Sequence, residues 1–211
     1  MNQTNPQNYQ TMYQTGQEPP KQKHTGCIIA LVVVLVLFLI LGVLAAILIP
    51  AMIGYVRKSR TAKTADAARQ CYKAASNALY DLKETDDLKN STYIITNIPG
   101  ESDFNAPFDT KALHEAVSSD FADGANGRYT YFFVVEGDEV TYTAVRDEEH
   151  LDYICTYPRQ AGQPEHSVTA YDGTEIEIPS NYWNTGENPF LELFWNARNT
   201  ITALPGQNEE E

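Results

Sequence analysis

The sequence lacks most of the residue patterns by which enzymes and metal proteins are recognised. It has only three cysteines and no CxxC pair, and its histidines and cysteines show no zinc-ligand spacing. It has no glycine-rich phosphate loop and no nucleophile elbow, and His114, His150 and His166 stand in no catalytic spacing. We therefore expect no enzymatic activity, no cofactor and no metal site.

Basic residues are scarce from Ala65 to the C-terminus, where 27 Asp and Glu stand against 9 Lys and Arg. A domain of this charge repels nucleic acid, so nucleic-acid binding is not expected. The first 64 residues are the reverse, because Glu18 is their one acid. Their six bases are Lys21, Lys23, Arg57, Lys58, Arg60 and Lys63. These bases flank an apolar run, as in segments held by phosphate headgroups.

Charge is absent from Cys27 to Ile49, the run CIIALVVVLVLFLILGVLAAILI. As a helix it extends about 34 Å, enough to cross a bilayer core. It is too long for a conventional secretory signal, and no small-residue cleavage site ends it. We expect a membrane helix and a basic juxtamembrane helix over 27–64, with membrane lipid as a partner. The leader 1–26 is rich in Asn, Gln, Thr and Pro and is expected to be disordered.

The helical pattern continues beyond Pro50 and becomes amphipathic. Pro50 cannot donate a backbone N–H, so we expect it to kink or loosen the helix. Further on, mostly small apolar residues recur every three or four positions, which predicts one buried stripe. The stripe consists of Ala68, Cys71, Tyr72, Ala75, Ala78, Leu79 and Leu82. We expect a sheet to pack across it.

The pattern changes to a period of two in the second half of the chain, which is typical of strands. Turn signals at Gly137-Asp138 and Asp172-Gly173 separate two of the pairs. The predicted strands are Tyr129–Glu136, Glu139–Arg146, Leu151–Tyr157, Val168–Tyr171 and Thr174–Ile178. They predict an antiparallel meander with one dry face. The fold class is α+β: a long N-terminal helix, transmembrane and then amphipathic, packed on this meander in the acidic domain 65–211.

Three shorter segments complete the prediction. The run Tyr93–Thr96 is either a strand or a loop against the helix. A helix is expected over Asp109–Phe121 with Asp109 as its cap, and another over Pro189–Arg198. The aromatic residues of the C-terminal segment are either core or a surface for a partner.

Cysteines and acids leave two further alternatives open. Cys71 and Cys155 are a candidate disulfide in an oxidising compartment, or else two buried thiols. An acidic group near a turn is either a calcium site or a solvated loop, and we expect the loop. Its members are Asp147, Glu148, Glu149 and Asp152.

The stretch Leu41–Gln70, LGVLAAILIPAMIGYVRKSRTAKTADAARQ, closely resembles the N-terminal helix of type IV pilins and type II secretion pseudopilins. That family carries a Gly-x-Leu-Ala-Ala-Ile-x-x-Pro pattern that runs into an amphipathic helix packed on an antiparallel sheet. The residues that match are Gly42, Leu44, Ala45, Ala46, Ile47 and Pro50. The sheet region is similar in architecture only.

The resemblance implies a structural subunit of a pilus or secretion filament. Its partners would be membrane lipid, other pilin-like subunits and a prepilin peptidase, and its acidic domain would lie outside the cytoplasm. The residues expected at the packing face of the membrane helix are Gly42, Ala45, Ala46 and Pro50.

The leader departs from the family pattern. Family precursors carry a short basic leader that ends in Gly, and the candidate cleavage site here is Gly26-Cys27. Counted back from Gly42, however, the family's cut falls after Ile28. The position of the family's early glutamate holds Val33 in that register, or Leu31 when counted from Gly26. An alternative therefore stays open: an uncleaved single-pass membrane protein whose acidic domain is a binding or sensory module.

The orientation in the membrane is also open to two interpretations. Four bases follow the apolar run and two precede it, so the positive-inside rule alone puts the acidic domain in the cytoplasm. The family resemblance puts that domain outside. We follow the resemblance, because pilin-like helices often carry bases just past the apolar run.

Overall fold

The computed structural model describes residues 25–82, 91–159, 166–179, 182 and 186–204. Residues 1–24 of the leader lie outside this range, so the expected disorder there stays a prediction. The chain divides into two units, 1–51 and 52–211, which we describe separately. The second unit includes the basic segment 57–63, which the sequence-based prediction places with the membrane helix in the range 27–64.

The first element is one α-helix, α1 (Thr25–Leu82), of 58 residues with Pro50 inside it. Proline removes one backbone hydrogen bond but does not end the helix here. From Ile28 to Ile49 the side chains are aliphatic or aromatic, with Gly and Ala between them, and no polar face interrupts them. The helix is long and apolar enough to span a membrane.

An antiparallel four-stranded sheet forms the centre of the second unit, in the order β1-β2-β3-β4. Its strands are β1 (Thr92–Thr96), β2 (Tyr129–Glu136), β3 (Glu139–Asp147) and β4 (Ile154–Tyr157). A separate two-stranded sheet contains β5 (Ser167–Thr169) and β6 (Glu175–Glu177). The helices of this unit besides α1 are α2 (Lys111–Asp120), α3 (Ala122–Ala125) and α4 (Pro189–Thr202). The predicted α+β class is confirmed, and the ambiguous run Tyr93–Thr96 is an edge strand paired with β2.

The β2–β3 hairpin sets the register of the sheet. Glu136 pairs with Glu139 across the two-residue turn, and Gly137 supplies the positive φ of 65° that such a turn needs. A shift in register between Val134 and Val135 marks a bulge. Beyond it the pairing continues to Tyr129 with Asp147.

Both faces of the four-stranded sheet are buried, so the prediction of one dry face was wrong. One face packs on α1, on α2 and on Ala106 and Phe108 ahead of α2, through residues such as Tyr131, Phe133 and Val145. The other face packs on α4 and the small sheet, through Phe132 and Ala144. The physical reason is the composition of β2: its five central residues, from Tyr131 to Val135, are aromatic or aliphatic and alternate between both faces, as in strands covered twice.

Two helix starts show how the ends are stabilised. The N-cap position of α2 is Thr110, not the predicted Asp109, and Thr110 makes no side-chain cap. Asp109 instead accepts a hydrogen bond from the Lys111 amide at 3.1 Å, just ahead of the helix. Helix α4 is longer than predicted, and Asn188 caps it by accepting from the Leu191 amide at 3.2 Å.

Candidate functional site

The apolar part of α1 presents its side chains outward on all sides. Leu35 is 59% exposed, Ile47 68% and Phe38 71%. Exposure of such surface to water is unfavourable by about 25 cal/mol per Å². A continuous apolar surface of this size is typical of a segment covered by lipid or by other protein.

The predicted helix-packing residues lie on the open surface of α1. A side chain added at Gly42 would meet nothing within 4 Å, so the position is free of contacts in the single chain. Ala45, Ala46 and Pro50 are exposed as well. Residues three, four and seven or eight positions apart share one side of a helix, so these small residues form one face at which another helix can approach closely.

The candidate cleavage site lies at the very start of α1. Gly26 is exposed, and Gly26 and Cys27 belong to the first turn. The first four N–H groups of a helix have no partner within it, so this turn opens more easily than the turns that follow. Cleavage at this bond stays a prediction.

Within the folded unit, α1 lays its small-residue stripe against the sheet. Ala68, Cys71 and Ala75 are each fully buried in the cluster they share with β2 and β3. Aromatic contacts connect the helix to β4: the rings of Tyr72 and Tyr157 are 4.7 Å apart between centroids. The prediction that a sheet covers this stripe is confirmed.

Basic side chains of α1 also reach β4 and the loop before it. The guanidinium of Arg60 lies 5.9 Å from the ring centroid of Tyr153, and that of Arg69 lies 6.0 Å from Tyr157. These are cation–π distances, so Arg60, which belongs to the basic segment, contacts an aromatic ring of the folded unit. Lys58 and Lys63 are exposed, and among the described residues neither forms an ion pair.

The two cysteines of the folded unit are free thiols and do not form the candidate disulfide. The Cys155 Sγ lies 3.7 Å from the backbone oxygen of Thr61. Cys71 is about 15 Å farther along the helix axis than Thr61, so the two sulfurs are several Å apart, where a disulfide needs about 2.05 Å. Burial raises the pKa of the Cys155 thiol to about 11, with Arg159 acting in the opposite direction. The thiol is therefore protonated and unreactive at neutral pH.

One pocket of the folded unit has a volume of about 520 Å³. At its edge the guanidinium of Arg57 lies 3.3 Å from the Nε2 of His166, within hydrogen-bond distance. The pocket is lined by Arg57, His166, Ser167, Glu175, Glu177, Ile178 and Pro179. Its lining carries both signs of charge, and within it the Ser167 hydroxyl donates a hydrogen bond to the Oε1 of Glu175.

A half-buried polar cluster fixes α2 to the sheet, and the sequence did not reveal it. The carboxylate of Asp103 accepts from His114 at 2.8 Å, from Thr110, and from the amide of Thr96 at 2.8 Å. Burial acts to raise the pKa of Asp103, but the bonds from His114, Thr110 and Thr96 outweigh it and hold the pKa below its ordinary value. The bond to Asp103 raises the pKa of His114. Thr110 and His114 are one helical turn apart, but nothing local connects them to Asp103.

The acidic loop between β3 and β4 differs from the predicted group. Glu148 is held by Arg146 at 2.7 Å. The ligand atoms of Asp147, Glu149 and His150 converge, all within 4.8 Å of one another. The group predicted from the sequence contains only the acids of this loop and not His150, although His150 follows Glu149 directly.

Comparisons with known proteins identify no family for this chain: no family model, no curated protein and no solved structure gives a significant match.

Proposed function

We propose that this protein is a membrane-anchored, pilin-like structural subunit. The apolar part of α1 holds the subunit in the bilayer and packs against the same helix of other subunits when a filament assembles. The observation that carries the proposal is the uninterrupted apolar surface of α1 before Pro50, followed by a small-residue stripe that is buried under an antiparallel sheet.

The driving force differs between the two states of the helix. In lipid the helix gains little by meeting another apolar helix, so association there depends on close packing at small residues. Outside lipid, contact between the helices removes apolar surface from water, worth about 25 cal/mol per Å². Removal of the helix from the bilayer into water costs the same free energy per Å² of apolar surface, so an assembly machine has to supply work.

Gly42 gives a test of subunit packing that leaves the single chain intact. Because nothing lies within 4 Å of a side chain added there, Gly42→Leu should not disturb the folded domain or membrane insertion. The variant should form fewer oligomers when the subunits are chemically cross-linked. It should also release less protein when surface material is sheared from the cells. Ala30→Leu is the matched control, because Ala30 is also exposed and lies about 120° around the helix from Gly42.

The packing proposal fails if Gly42→Leu and Ala30→Leu give the same amount of oligomer as the wild type. It also fails if both variants reduce the amount equally, because the effect is then one of bulk anywhere on the helix. Circular dichroism of each purified full-length variant in detergent confirms that the folded unit is unchanged.

The placement of the acidic domain outside the cytoplasm is tested on intact cells. External protease should remove the acidic domain if the proposal is right. Protection of that domain in intact cells, with digestion after lysis, would put it inside, as the positive-inside rule alone predicts.

A second candidate function is a permanently anchored binding or sensory module. Val33 and Leu31 favour it, because both are exposed aliphatic side chains where the pilin family has a carboxylate. Neither can pair with the N-terminal amine of a neighbouring subunit. The two functions differ in the mature N-terminus: a pilin begins near Cys27, and an anchor retains Met1.

A further inference from the structure

We propose that Asp147, Glu149 and His150 form a binding site for a divalent transition-metal ion of the zinc type. The site lies at the end of β3, in the loop that leads to β4, and it does not rest on the pilin-like proposal. One atom from each side chain is available: a carboxylate oxygen of Asp147, a carboxylate oxygen of Glu149 and a ring nitrogen of His150.

The buried member of the group is Asp147, which is only 5% exposed. Its Oδ1 accepts the Glu149 amide at 2.9 Å. Its Oδ2 accepts no hydrogen bond from any described residue and lies 3.7 Å from the Nδ1 of His150. The Asp147 side chain is only 7% exposed, and a cation between Oδ2 and Nδ1 would bind both atoms and offset the charge of the carboxylate.

The distances fit a small ion after a modest adjustment. Zinc binds oxygen and nitrogen at about 2.0–2.2 Å, which places tetrahedral ligands about 3.3 Å apart. The three ligand atoms are already within 4.8 Å of one another. Glu149 is exposed and His150 is half-buried, so both side chains can rotate inward while Asp147 stays in place.

The backbone of the loop is fixed before any ion arrives. The Asp147 amide donates to the carbonyl of Tyr153 at 3.1 Å, and the Tyr153 amide donates to that of His150 at 3.0 Å. The Glu148 amide donates to the Arg128 carbonyl at 2.9 Å. Little conformational entropy is therefore lost on binding.

The donor set selects the class of metal. Calcium and magnesium prefer sites made of oxygen alone, whereas an imidazole nitrogen favours zinc and its transition-metal neighbours. Three protein ligands leave one position for water or for a ligand from another molecule. The exposed guanidinium of Arg128 attracts both Asp147 and Glu149 and competes with the ion for them.

The test is a calorimetric titration of untagged full-length protein in detergent with zinc chloride. We expect one ion per chain. His150→Ala and Glu149→Gln should each weaken binding by about tenfold or more. Glu148→Gln, which removes the same charge from the same loop but belongs to the Arg146 pair, should bind zinc as the wild type does. Arg128→Gln should bind it more tightly.

Three results would overturn the site. The first is no binding by the wild type at millimolar zinc. The second is unchanged affinity in both His150→Ala and Glu149→Gln, since the ion is then bound elsewhere. The third is calcium or magnesium binding as tight as that of zinc, which would contradict the assigned metal class. The substituted side chains are exposed or half-buried and none belongs to the core, so the variants should fold, and their circular dichroism spectra check this.

Discussion

Overpacking the face of α1 beneath the sheet tests the helix–sheet contact most simply. Ala68 is fully buried in the cluster formed by α1, β2 and β3. Ala68→Leu adds three carbon atoms where the side chain has no access to solvent. The neighbours must shift or take poor rotamers, which typically costs about 1–3 kcal/mol.

The expected effect on melting follows from the size of the folded unit. For a domain of 150–250 residues, 1 kcal/mol lowers Tm by about 2–4 °C. Ala68→Leu should therefore lower the Tm of the full-length protein in detergent by about 2–12 °C. The assay is thermal unfolding followed by near-ultraviolet circular dichroism, which reports the packing of the aromatic core.

Ala62→Leu is the matched control, because Ala62 lies on the same helix but is exposed. It should change the stability by less than about 0.5 kcal/mol. If Ala68→Leu melts at the same temperature as Ala62→Leu, the small-residue face of α1 does not lie under the sheet, and the architecture described above is wrong.

Two further perturbations test the same domain. His114→Gln should destabilise it by about 1–2 kcal/mol, and mostly between pH 4 and 6.5. Because its pKa is raised, His114 contributes its full stabilisation below the ordinary value of 6.5 and loses it as the pH rises through the raised pKa. Because its pKa is lowered, Asp103 contributes its full stabilisation above the ordinary value of 3.8 and loses it as the pH falls through the lowered pKa. A pH-independent difference in urea midpoints would refute this account. Gly124→Ala should lower the urea midpoint of unfolding without a change in m-value, because the new methyl group would lie 2.5 Å from the ring of Phe121 and 2.9 Å from that of Tyr131. An unchanged midpoint would show that these rings are not held in place.

The order of elements was largely predictable from the sequence because local signals agreed there. The β2–β3 hairpin combines alternating residues with the turn Gly137-Asp138, and the predicted bounds of β2 match the structure. The stripe around Ala68 and Ala75 repeats at helical spacing, which is a property of the chain alone.

The missed features depend on contacts between distant residues. Both faces of β2 are apolar, and whether the second face is covered depends on α4, which lies about 60 residues later and packs Phe190 and Phe194 there. The disulfide prediction counted two cysteines on facing elements, but their positions along α1 and β4 place the thiols too far apart. Sequence spacing carries no information about that offset.

The loop after β3 shows the same limit at a site. A count of acids included Glu148, but Arg146 binds it, so its carboxylate is not free for a metal. The imidazole of His150 enters the group only because the turn brings it to within 3.7 Å of the buried Asp147.

The most direct test of the pilin-like account is the intact mass of the native protein, measured in both the membrane fraction and the sheared surface fraction. The account predicts a chain that begins near Cys27, with the apolar part of α1 at its new N-terminus. A single species that retains Met1 in the membrane, with none in the surface fraction, would contradict it and favour a permanently anchored module.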